Sequence, residues 1–140
     1  MEELRIEADI NNLNKAIEFV DKMLEEVNCS PEVMAQIDIA IEEIFVNIAS
    51  YAYAPEKGDV VIKAGLIDGY RGVQVTFIDS GVPFNPLEKA DPDVDQPIED
   101  RPIGGLGVYM VKMSMDKVLY EYKDEANMLS IIKKLDSSSD

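Results

Sequence analysis

Histidine is absent from the 140 residues, and Cys29 is the single cysteine. The usual zinc clusters are therefore unavailable and no intramolecular disulfide can form, which suits a reducing compartment. Basic residues are scarce, 13 against 28 acidic ones, and the formal net charge is -15. A field of that sign repels phosphate backbones and anionic lipid, so neither direct nucleic-acid binding nor membrane attachment is expected. No apolar run approaches the roughly 18 residues of a membrane helix, and Met1-Glu2-Glu3 lacks the basic-then-apolar opening of a secretory leader. A cytoplasmic location is the expectation.

What is present reads as one domain over residues 1–136, followed by Ser137-Ser138-Ser139-Asp140 as a disordered tail. A hydrophobic fraction of 46% is enough for one core. Leu4, Ile6, Ala8 and Ile10 alternate with polar residues, the period of a half-buried strand. Asn11 or Asn12 is placed to cap a helix whose stripe runs Leu13, Ile17, Val20, Met23 or Leu24, and Val27, ending near Asn28. Ser30-Pro31 opens a second helix, with Val33 or Met34, Ile37, Ile41, Ile44 and Ile48 carrying it to about Tyr53. Residues 60–67 and 72–78 are rich in β-branched side chains and read as a hairpin.

Residues 79–105 have no period and contain Pro83, Pro86, Pro92, Pro97 and Pro102; a connection of that length in a compact domain tends to be a functional lid. Apolar periodicity returns at Leu106, Met110, Val111 and Met113, and residues 117–122 and 128–135 form a last pair of strands. Met110, Met113, Met115, Tyr120 and Tyr122 are expected to fill the core, and Cys29 to be a small buried hydrophobe. The order of elements predicts an α+β sandwich with helices on one face of a mostly antiparallel sheet.

Three clusters carry chemistry. Glu43 and Asn47 stand four apart on the second helix, so their polar tips share a face at the edge of the buried stripe. An asparagine carbonyl is a hard oxygen ligand suited to Mg, and a carboxylate one turn earlier can order a coordinated water or accept a hydroxyl proton. Asp79-Ser80-Gly81 comes directly after a strand. A carboxylate there can accept from an exocyclic amine such as that of adenine, and a glycine two residues on lets backbone approach a flat ring. Gly104-Gly105-Leu106-Gly107 exposes backbone N–H groups at the positive end of a helix, a ready anion site, with Arg101 upstream as a bidentate phosphate donor. Taken singly, each has a plainer explanation: a solvated helix flank, a turn, flexible punctuation, a surface charge. In so acidic a chain a polyphosphate needs local neutralisation, which points to Mg rather than a lysine cradle.

In this order, with a proline-rich lid between the second and third, the clusters resemble the ATP-binding boxes of the GHKL ATPases, the class that includes histidine kinases, gyrase and MutL. Residues 42–53, 79–86 and 104–111 look most like the RsbW and SpoIIAB type of anti-sigma serine kinases. The resemblance implies a Bergerat-type two-layer α/β sandwich that binds ATP and Mg. It puts Asn47 on Mg, Asp79 on the adenine amine, Gly81 beside the ring and Glu43 as general base. It makes Gly104, Gly105, Leu106 and Gly107 the phosphate contact, and sets Ser130 where relatives tend to carry a threonine near the adenine. It further implies phosphorylation of a serine on a STAS-fold anti-sigma antagonist, sequestration of a sigma factor, and a homodimer. Tyr51 departs from the pattern, since relatives often have histidine there. The alternative is an ATP-binding partner-switching module without catalysis.

Overall fold

The structure, a computed structural model, describes residues 1–53, 56–67, 71–88 and 105–135. Arg101, Gly104, most of the proline-rich lid and the serine-rich tail lie outside the described residues, as does the side chain of Leu106.

Strand β1 spans Glu2–Glu7 and is shorter than the alternation suggested. Asp9 ends it: its carboxylate accepts the Asn11 N–H at 2.9 Å, making Asp9 the cap of a 3-10 turn at Ile10–Asn12. The Asn12 amide donates back to the Glu7 carbonyl, so neither asparagine side chain caps the next helix. Helix α1, Leu13–Glu26, buries Ala16, Val20, Met23 and Leu24. Asn28 then takes a left-handed φ of 56°, a conformation asparagine tolerates better than most residues, and turns the chain. Helix α2, Pro31–Asn47, starts as its sequence dictates: Ser30 Oγ accepts the Val33 N–H at 3.2 Å, and Pro31 sits where its missing donor costs nothing. It buries Val33, Ile37, Ala40, Ile41, Ile44 and Phe45. Beyond Asn47 the chain widens into one π turn, Ile48–Ala52.

Strands β2, Asp59–Ile67, and β3, Gly72–Asp79, form the expected hairpin. A third helix, α3, spans Gly105–Ser114. Strands β4, Lys117–Lys123, and β5, Ala126–Lys134, close on Asp124 and Glu125, both at positive φ. The sheet order is β1-β2-β3-β5-β4, antiparallel throughout. Alternation sends Val60, Ile62, Ala64, Val73, Val75, Phe77 and Ile131 to one face, where they pack with the buried stripes of α1 and α2. The α+β expectation holds. Among the described residues no helix is long and apolar enough to cross a membrane.

Part of the expected core is surface. Met110, Met113 and Tyr122 are exposed at 52%, 68% and 44%. α3 has ten residues and buries Val111, and Met115, four residues on and just past the helix end, is buried as well, which leaves Met110 and Met113 off that stripe. Tyr122 lies near the end of β4, an edge strand. Cys29 is half-buried against the core.

Candidate functional site

The site grows from the point where α2 changes its winding. A π turn carries an extra residue per hydrogen bond and so re-aims the chain beyond it. Here it frees the Ala52 carbonyl to accept the Val82 N–H at 3.0 Å, tying the end of the helix to the loop after β3. Tyr53 makes a second tie. Its hydroxyl donates to the Asp59 carbonyl at 2.6 Å and accepts the Ser80 N–H at 2.7 Å. Burial is the main reason this phenol is held above its ordinary pKa. The loop fits so closely that a Cβ on Gly81 would lie 2.1 Å from the Ala52 carbonyl oxygen. Glycine is the residue this approach admits.

Asp79, 6% exposed at the end of β3, stands inside this junction. Its Oδ1 accepts the Gly81 N–H at 2.9 Å and an Asn127 Nδ2–H at 3.0 Å. Asn127 faces it because the two residues are register partners across β3 and β5.

These elements wall a cavity of about 470 Å³, within the range of small-molecule sites. Glu43 and Asn47 line it from α2, Asp79 from β3, Val108 and Val111 from α3, and Tyr120, Asn127 and Leu129 from the last two strands. Phe84 and Leu87 contribute from the segment after β3. The first two sequence clusters thus meet in one space. The start of α3 adjoins it: a Cβ on Gly107 would fall 1.9 Å from Glu43 Oε1, so the first turn of that helix lies directly against the carboxylate. Gly105 opens the same helix.

Ser130 is not brought to the cavity. It neighbours Leu129 in β5 and so faces the other side of the sheet, where its hydroxyl sits 2.7 Å from that of its register partner Thr76. Conversely, Asn127 and Tyr120 belong to the site, and no sequence motif singles them out. Only the β3–β5 register reveals Asn127, and a register between distant strands leaves no local mark.

Among the described residues, no group of three or more cysteine, aspartate or glutamate side chains is placed to hold a metal. Asn47 and Glu43 are the oxygen donors that share a face of α2 at the cavity wall, and the Asn47 amide makes no hydrogen bond among the described residues. That donor set fits Mg, which keeps several waters and takes further ligands from phosphate, better than an ion needing an all-protein cage.

Residues 6–133 match the family model of the histidine kinase-like ATPase domain. Over 89 residues the chain is 35% identical to the serine-protein kinase RsbW of Bacillus mycoides, an alignment covering 61% of this chain and 54% of that protein. The RsbW proteins of Bacillus thuringiensis and Bacillus cereus are 36% identical over 84 residues, 57% of this chain and 51% of theirs. The chain spans about half the length of these curated relatives. A crystal structure of the RsbU and RsbW domains of a Mycobacterium tuberculosis protein superposes on 99% of this chain and 34% of that one, with a TM-score of 0.67 and 20% identity, and so shares the fold. With the antiparallel sheet, the helix-borne Glu43 and Asn47 and the strand-end Asp79 in place, the chain belongs to the histidine kinase-like ATPase domain family, and its fold is the Bergerat fold of the GHKL ATPases.

Proposed function

We propose that the chain is an ATP-dependent protein serine kinase of the RsbW kind, acting in the cytoplasm as a homodimer. It phosphorylates a serine of a STAS-fold anti-sigma antagonist and holds a sigma factor when the antagonist is not engaged. The observation that carries this reading is the convergence of Glu43, Asn47 and Asp79 on one cavity against the first turn of α3.

Each residue has a task. Asp79 accepts the adenine amine, and Gly81 keeps the loop low enough for a flat ring to lie over it. Asn47 would hold Mg, whose chemical contribution is to neutralise phosphate charge in a very acidic protein. The first turn of α3, with Gly105 and Gly107, offers backbone N–H groups to the phosphates, joined by Gly104, Leu106 and Arg101. Glu43 takes the proton of the substrate hydroxyl as that oxygen attacks the γ-phosphorus and the bond to ADP breaks.

The test combines the purified protein, a STAS-fold antagonist and ATP labelled in the γ position. Label should move to the antagonist. Glu43→Gln should lower transfer by about 100-fold or more while binding ATP within a few-fold of the parent protein. Transfer unchanged in that variant removes the base assignment. A protein that binds ATP and captures its partner without ever moving label is the non-catalytic partner-switching module.

A further inference from the structure

We propose that Asn127 sets the base preference of the cavity by holding Asp79 so that one carboxylate oxygen remains for the exocyclic amine of the purine. This rests on the assignment of the cavity to a nucleotide and deepens it.

Asn127 is 6% exposed, and its amide is fully committed. Nδ2 donates to Asp79 Oδ1 at 3.0 Å and to the Val82 carbonyl at 2.9 Å. Oδ1 accepts the Phe84 N–H at 3.1 Å and the Tyr120 hydroxyl. Both groups facing Nδ2 are acceptors and both facing Oδ1 are donors, which fixes the orientation of the amide. An aspartate of the same shape would set a carboxylate against Asp79 and lose both donations.

The consequence falls on Asp79. Asn127 and the Gly81 N–H both engage Oδ1, and Oδ2 has no partner among the described residues. A carboxylate pinned through one oxygen presents the other in a fixed direction at the cavity wall. That oxygen accepts from a 6-amino purine and repels the carbonyl of a 6-oxo purine. Asn127 also holds Val82 and Phe84, two apolar residues lining the same cavity, so one side chain fixes both the acceptor and the wall beside it. It reaches the base through Asp79 and is a positioning residue.

The experiment measures affinity for ATP and for inosine triphosphate, which differ at the 6 position, both with Mg. The parent protein should favour ATP by about tenfold or more, the discrimination expected of one hydrogen bond to a charged acceptor. Asn127→Ala should bring the two affinities to within about threefold while circular dichroism remains native. Asn127→Ser gives the same readout should alanine prevent folding. In an Asp79→Ala background, where nothing remains to be positioned, Asn127→Ala should change the ratio by less than about twofold. If Asn127→Ala weakens both nucleotides equally and leaves the ratio intact, Asn127 only supports the fold and the proposal is overturned. If the parent protein binds neither nucleotide, the nucleotide assignment itself fails, an outcome distinct from a preserved ratio.

Discussion

Asp21 of α1 and Asp38 of α2 face each other between the helices, and Oδ1 of each is buried without a hydrogen-bond partner. Two carboxylates in that position cannot both stay ionised cheaply. Burial first, then the hydrogen bond and charge of Asp21, push Asp38 up to about 7. The same two charges, after burial, push the nearby Cys29 thiol up. The folded chain therefore holds a proton on Asp38 more tightly than the unfolded chain. The stability this proton contributes is complete below the ordinary carboxylate pKa of about 4 and is lost as pH rises towards 7. Asp38→Asn supplies the donor permanently. It should raise stability at pH 8 by about 1 kcal/mol, a value reduced because solvent screens a half-exposed pair, and change little at pH 4. Urea unfolding at the two pH values checks this, and equal effects at both would contradict it. Neither aspartate stands out in the sequence. Each directly succeeds a buried residue, Val20 or Ile37, and reads as the ordinary polar flank of an amphipathic stripe.

Elements differ in how openly the sequence announces them. Ser30-Pro31 marks the start of α2 to the residue, because a hydroxyl cap and a proline at the first helical position act locally. The β-branched runs in residues 60–67 and 72–78 show equally well, since strand composition is local too. The end of α2 is legible only as a stop near Tyr53; nothing in Ile48–Ala52 foretells a π turn, which arises from the ties of Ala52 to Val82 and of Tyr53 to Ser80. Half of the candidate site is legible for the same reason: Glu43, Asn47, Asp79 and Gly81 lie within local motifs, whereas Asn127 enters through strand pairing alone. The junction makes Gly81 sensitive. A Cβ there meets backbone rather than a movable side chain, so Gly81→Ala should destabilise the protein by about 3 kcal/mol, the upper end for overpacking. Nucleotide binding should be lost with it. Thermal melting and ATP titration read the two effects, and a stable variant with parental affinity would show that the loop has room to move.

At the scale of the whole molecule, charge governs how the cavity can be filled. A chain of formal charge -15 must accept a polyanion beside Glu43 and Asp79, and the described part of the cavity wall carries no lysine or arginine. Long-range repulsion acts on the free nucleotide at every approach, and the first turn of α3 offsets part of it close to the site. Neutralisation must therefore arrive with the ligand. ATP with Mg at about a hundred times its dissociation constant should stabilise the folded state by about 2.7 kcal/mol, which for a domain of this size raises the melting temperature by on the order of 10 °C. ATP in the presence of a chelator should give only a small fraction of that shift, and raising the salt should narrow the gap between the two as the protein's field is screened. Asp79→Ala should shrink the shift under every condition, because it removes the base contact and leaves the net charge problem almost unchanged. Equal shifts with and without Mg would mean that protein groups beyond those lining the cavity neutralise the phosphates, and Arg101 would be the first to replace.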